Sequence, residues 1–322
     1  MQGAADRSEA GHIEPEPIGT SLWRGPVPWL IACGALLVAA IVIGTIVMAN
    51  GFRQRTIGNN ERELANTAVL LSRHFAQQFE DAETAVSQAI RRMQPESISS
   101  PEAFRIRMAM PDIQDMLRSQ VNGLSYMGEL TIIDADGNFA NWSSYDPLPA
   151  INVTDRSYFK DLKSASRPDS FVIVPVISRV TGGWVTIVAH RLSGANGEFL
   201  GVISRRVDPN IYETFLQAMA LGKGASITLL HSNGAVLARY PHIESMMGAK
   251  IGNSEMLSGL TDGAVRTTLI TSRVDGLEKI ASGAAVGRFP LVTAVTRTVD
   301  DALADWRSQM VLLVGAAMLA AV

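Results

Sequence analysis

The run VPWLIACGALLVAAIVIGTIVMANGF (27–52) passes through Met48 without one charged residue, and no other feature restricts the fold as much. A stretch of roughly 20 apolar residues carries an α-helix across a bilayer, where a helix can satisfy its own backbone groups. Its length and the lack of an A-x-A-like cleavage site argue against the alternative, a removable signal peptide cut near MANG (48–51). A membrane helix is expected over 27–50, preceded by a cytoplasmic tail over 1–26. A second apolar run, MVLLVGAAMLAAV (310–322), follows Trp306 and Arg307, residue types that favour the membrane–water interface. Residues 307–322 are therefore expected to begin a second membrane helix within a longer protein.

Flanking charge alone, Arg24 against Arg53, Arg55 and Arg62, would place the amino terminus outside. That rule holds only for loops shorter than roughly 60 residues, and the intervening region is far longer. The expected orientation is amino terminus in and large loop out. Cys33, the single cysteine, lies in the first span, so the loop carries no thiol to oxidise. A formal net charge of −3 with no dense Lys/Arg run excludes the electrostatic footprint of a nucleic-acid binder.

Beyond the span, Leu64, Ala68, Leu71, Phe75, Phe79, Ala82, Val86 and Ile90 recur at three- and four-residue steps, which predicts one long helix over 51–95. PESISSPEAF (95–104) ends it and starts another, with Ser100 as N-cap and Pro101 at the first position. Strand signals follow. ELTIIDADGNFANWS (129–143) and SFVIVPVISRVTGGWVTIVAHRLS (170–193) read as hairpins, and GEFLGVISRRV (197–207) as a fifth strand. DPNIYETFLQAMAL (208–221) reads as a helix capped by Asp208.

The order then repeats. SITLLHSNGAVLARY (226–240) parallels ELTIIDADGNFANWS, and GRFPLVTAVTRTVDDALADWR (287–307) parallels GEFLGVISRRVDPNIYETFL. Two copies of one α+β unit are expected, the second ending in a helix that runs on without interruption into the membrane.

Over 129–207 the segments VTDRSYF, TGGWVTIVAHRL and GEFLGVISRRVD resemble those of double Cache (tandem PAS-like) extracellular sensor domains of bacterial signal transducers. Such domains are attached to diguanylate cyclases or histidine kinases. The resemblance implies an α+β fold: a long N-terminal helix packed on two PAS-like antiparallel-sheet lobes, flanked by transmembrane helices. It places the membrane-distal lobe over 96–221 and the proximal lobe over 222–306. It also implies a multi-pass inner-membrane protein with residues about 51–306 in the periplasm, and a homodimer, since long helices emerging from a membrane commonly pair through an apolar stripe.

In amino-acid-binding members an Arg followed by aromatics recognises the ligand carboxylate, and a downstream Tyr and Asp recognise its amine. Arg156, Tyr158 and Phe159 match the first half. DSFVIVPVIS (169–178) departs from the second half, having Phe171 and no acid at the expected place, so the implied ligand is a carboxylate or other small anion. Asp155, Trp142, Arg179, Trp184, His190 and Arg191 complete the candidate set. Each has a plainer reading: Thr154 or Asp155 as a helix cap, Trp184 as hairpin-end packing, Trp142 as a cover for its hairpin. His190 and Arg191 point to opposite faces of one strand, so only one of them can reach a given pocket. Arg205 and Arg206 precede a capped helix and are expected to pair with Asp208.

No nucleotide-binding loop, metal-ligand spacing or nucleophile elbow is present, so no cofactor or metal is expected and the chain is read as non-enzymatic. The expected role is a small-molecule sensor feeding a cytoplasmic diguanylate cyclase or histidine kinase. The rivals are the sensing region of a chemoreceptor and an assembly ectodomain that binds no ligand.

Overall fold

The computed structural model describes residues 26–122, 128–219, 221–251, 257, 260 and 263–321; apart from Pro26, the expected tail lies outside them. The chain divides into two units, residues 1–55 with 305–322 and residues 56–304. The first unit holds the start of helix α1 (Val27–Met93) and nearly all of α7 (Ala304–Ala321). Leu30, Ile31, Leu37, Ile43 and Val47 are exposed on α1, and Trp306 Nε1 donates to the Ala49 carbonyl at 3.1 Å. A helix with bare apolar side chains on several faces is matched to lipid rather than water. Among the described residues α1 is the one helix long and apolar enough to cross a membrane, its best window having a mean hydropathy of 2.8.

The second unit opens with the rest of α1, whose predicted stripe is buried: Leu64, Ala68 and Phe75 are fully enclosed. A short turn over Pro95–Ser97 leads to α2 (Pro101–Met108) and α3 (Pro111–Val121). Ser100 caps α2 by accepting from Ala103 N at 3.2 Å, and Pro101 occupies its first turn.

The first lobe is a sheet of β1 (Glu129–Asp134), β2 (Phe139–Trp142), β3 (Phe171–Ile177), β4 (Trp184–Ser193) and β5 (Phe199–Val207), in the order β2-β1-β5-β4-β3. Helix α4 (Ser157–Ser164) joins β2 to β3. Helix α5 (Pro209–Ala218), capped by Asp208, leads to the second lobe: β6 (Ala225–His231), β7 (Val236–Tyr240), β8 (Val265–Thr271), β9 (Glu278–Ala285) and β10 (Leu291–Thr298). Its order is β7-β6-β10-β9-β8, the same topology over again. All pairings are antiparallel.

One apolar core serves both lobes, because α1 lays Leu71, Phe75 and Phe79 against Val188 of the first sheet and Leu229 and Val295 of the second. The opposite face of the first sheet packs under α4 through Tyr158, Phe159 and Leu162. The expected uninterrupted final helix is corrected at Leu303: a single turn, α6 (Val299–Ala302), capped by Thr298, ends there, and α7 begins at Ala304. Thr298 Oγ1 accepts from Asp301 N at 3.1 Å and fixes where that turn begins; Leu303 closes it, its N–H donating to the Val299 carbonyl at 3.0 Å.

Candidate functional site

The segment before α4 determines the shape of the site. Asn152 Oδ1 accepts from Thr154 N at 3.0 Å and from Thr154 Oγ1 at 2.6 Å, closing a tight turn that delivers Arg156 to the start of the helix. Arg156 is itself the N-cap and uses no side-chain cap, so the expected capping by Thr154 or Asp155 is corrected. The Asp155 carboxylate is engaged elsewhere: Arg179 Nη2 donates to its Oδ2 at 2.6 Å, while Arg179 Nη1 donates to the Asn152 carbonyl. That hydrogen bond holds the Asp155 carboxyl below the usual carboxylate range. The pair staples the β3–β4 hairpin end to the loop before α4.

Beneath this staple lies a cavity on the α4 side of the first sheet, with about 510 Å³ of empty space counting the part open to solvent. Its polar wall is Arg156, Arg179, Arg206, Glu129 and Tyr158, and its apolar wall includes Trp142, Val176 and Ile187.

Arg156 Nη2 donates to the Ile177 carbonyl at 2.8 Å, which fixes the side chain yet leaves its charge without an ion pair among the described residues. Arg206, by contrast, is neutralised by Glu129, with Nη2 and Nε donating to the same oxygen at 2.5 and 3.1 Å. Tyr158 is 5% exposed, and burial pushes its hydroxyl up to about 12, so it stays protonated. Among the described residues that hydroxyl has no hydrogen-bond partner. The Tyr158 hydroxyl and the half-exposed Arg156 guanidinium both keep donors free on one cavity wall, where an acceptor would be met by two groups.

The structure brings Arg156, Tyr158, Trp142 and Arg179 together around the cavity and places Asp155 at its rim. Trp142 also donates from Nε1 to the Asp146 carbonyl at 3.0 Å, so its ring is held in place. Four expected residues are elsewhere. Phe159 turns into the core and meets Phe199 edge-on at 5.6 Å, because the helix carries it one position past the cavity. Trp184 projects away from the adjacent Val185 and packs on the second lobe at Gly248, where a Cβ would come within 2.3 Å of the indole. His190 faces α1, with Nε2 at 3.2 Å from Glu83 Oε2, and stacks on Phe171. Arg191 shares the α4 face but ties its guanidinium to the Leu162 carbonyl at 2.7 Å and to Gly197.

Glu129, Arg206, Thr131 and Ser204 line the cavity without having been singled out in the sequence as site residues. The expected pairing of Arg206 with Asp208 is replaced by Glu129, its cross-strand partner in the β1–β5 register. Alternation along ELTIID and GEFLGVISRRV carries the signal, since Glu129 and Thr131 share one face, as do Ser204 and Arg206.

A family model described as histidine kinase sensor domain, dCache_1_like, matches residues 209–296. The extracellular domain of a protein designated as the histidine kinase rpHK1S-Z16 is 30% identical, with a TM-score of 0.64, covering 77% of this chain and 98% of that one. The periplasmic sensory domain of the Campylobacter jejuni chemoreceptor Tlp1 matches with a TM-score of 0.59 at 15% identity, covering 76% of this chain and 96% of that one. The ligand-binding domain of the Pseudomonas fluorescens chemoreceptor CtaA, solved with L-leucine, matches with a TM-score of 0.53 at 16% identity, covering 79% and 99%. These two chemoreceptor domains share the fold. No curated protein matches the chain. With two copies of one five-stranded sheet backed by a single long helix, and a 30% identical sensor domain covered almost end to end, the chain belongs to the double Cache family of extracellular sensor domains.

Proposed function

We propose that the first-lobe cavity binds a small carboxylate and that Arg156 is its anchor. The observation that carries this reading is the unmatched guanidinium of Arg156 beside the unpartnered hydroxyl of Tyr158 in one cavity. A carboxylate accepts two parallel bonds from a guanidinium and has lone pairs left for a phenol. Trp142, Val176 and Ile187 cover an apolar body.

Glu129 on the cavity wall favours a second reading, an α-amino acid whose ammonium meets that carboxylate. The readings separate on a matched pair of probes, leucine and its deaminated analogue 4-methylpentanoate. Thermal shift of the full chain in nanodiscs reports on both. A binder at 100 times its dissociation constant adds about 2.7 kcal/mol. Stabilisation by 4-methylpentanoate, lost in Arg156→Ala, supports the carboxylate reading; stabilisation by leucine alone moves the assignment to the amino acid. Silence to both, with other carboxylates and amino acids equally inert, leaves the assembly ectodomain as the surviving role.

In this proposal the chain is the input region of an inner-membrane, multi-pass, homodimeric receptor, with residues about 51–306 in the periplasm. Within it, 96–221 is the membrane-distal lobe, 222–306 the proximal one, and 27–50 and 307–322 are membrane segments. The apolar faces of α1 and α7 support the membrane placement. A ligand moves the equilibrium between two receptor states by its difference in affinity for them. β10, α6 and α7 follow directly in sequence, which gives the second lobe a short covalent path to the segment over 307–322. A histidine kinase is the output that the comparisons favour; a diguanylate cyclase is the alternative.

A further inference from the structure

The second lobe contains a cavity at the position where the first lobe has its own. Register makes the match residue by residue. In the first sheet Thr131 lies opposite Trp142 and Ser204; in the second, Thr228 lies opposite Arg239 and Ala294. The pair Glu129 and Arg206 corresponds to Ser226 and Thr296, and Val185 to Lys279. All of these residues line the respective cavities, and the second has about 600 Å³ of empty space counting its open part. Its charge is arranged differently. The ion pair across the central strands is gone, replaced by two hydroxyls 2.9 Å apart, and a cation stands where the first lobe has a tryptophan.

That cation is Arg239, 7% exposed. Its Nη1 donates to Thr228 Oγ1 at 2.9 Å, its Nε is buried with no partner, and its Nη2 makes no hydrogen bond among the described residues. Asp275, the acid whose charge reaches it, is held by Lys279 at 2.6 Å. Burial raises the Asp275 carboxyl, but hydrogen bonds from Lys279, Ser272 and Leu277 N–H outweigh this and hold it down to about 2, so it stays ionised on the lysine. A buried guanidinium with unmet donors is costly unless an acceptor arrives. As a structural strut Arg239 would need more than one hydroxyl to satisfy it. Leu230, Ile270 and Ala294 supply the apolar surroundings.

We propose that the second-lobe cavity is a separate ligand site for a small carboxylate with a short apolar body, anchored by Arg239. The assignment is independent of the reading of the first cavity. The full chain carrying Arg156→Ala, in nanodiscs, is titrated calorimetrically with acetate, propionate and butyrate, with chloride at equal ionic strength as the control. At least one of the acids is expected to bind. Adding Arg239→Met should weaken that binding about 10- to 100-fold, the loss of a charge-assisted pair of bonds. Adding Ala294→Leu instead, which fills the cavity and leaves every charge in place, should weaken it comparably. The second variant decides the matter should the first fail to fold. The proposal is overturned if none of the three acids binds, or if binding survives Ala294→Leu unchanged.

Discussion

The two lobes share a topology, a strand register and a helix, yet they differ in where their polar groups are spent. In the first, the strand pair Glu129 and Arg206 is neutralised internally, and the unmatched cation Arg156 comes from the loop that enters α4. In the second, Arg239 is on a strand and is far more enclosed. Duplication of a fold thus preserved the cavity while its chemistry diverged, since a site is set by side chains and not by topology.

The largest expected effect removes what the lobes share. Phe79 is 2% exposed, packs against Phe289 of the second lobe and Tyr212 of α5, and lies under the Arg205 guanidinium. Phe79→Ala should cost about 3–5 kcal/mol and lower a single cooperative denaturation midpoint. Two separate transitions in urea, one of them unmoved, would show that the lobes are not one folding unit. Next in size, Arg156→Ala should weaken carboxylate binding in the first lobe about 10- to 100-fold and leave the second-lobe affinity unchanged, as read by calorimetry. Equal losses at both sites would mean that the cavities are not independent.

Gly248→Ala tests the seam between them. Gly248 has a φ of +72°, where a side chain is strained, and its Cβ would meet the Trp184 ring. A loss of about 1–3 kcal/mol is expected, with Trp184 fluorescence shifted. An unchanged emission spectrum would show that the indole does not pack there.

The smallest effect is a pH dependence confined to the second lobe's flank. Hydrogen bonding to Glu213, then to Glu244, raises His242 above the ordinary value of 6.5. A raised folded value means that the stabilisation is complete below about pH 6.5 and is lost as pH climbs through the folded value. His242 is partly exposed, so the amount is a few tenths of a kcal/mol at most. His242→Gln should flatten the stability profile above neutrality, and an identical slope in the variant would remove His242 as its source.

The sequence disclosed most of the frame for physical reasons that also explain the gaps. The stripe from Leu64 to Ile90, the Ser100 and Asp208 caps and the first-lobe hairpins are local patterns, and each is found where it was expected. The β8–β9 hairpin was not read, because EKIASGAA is buried through small residues that carry little hydrophobic periodicity. At the site, Arg156 and Tyr158 were legible within one short segment. The Asp155–Arg179 staple and the Trp184–Gly248 contact join residues from separate segments, and no local spacing announces them. His190 and Arg191 were correctly set on opposite faces, but only the fold shows that α1 covers one face and α4 the other.

An experimental structure of the full chain grown with the carboxylate that gives the largest thermal shift tests the central claim most directly. The account predicts the carboxylate within hydrogen-bond distance of the Arg156 guanidinium and the Tyr158 hydroxyl, with its apolar end against Trp142 and Val176. A ligand seated in the first lobe without touching either group, or found in the second lobe alone, would contradict it.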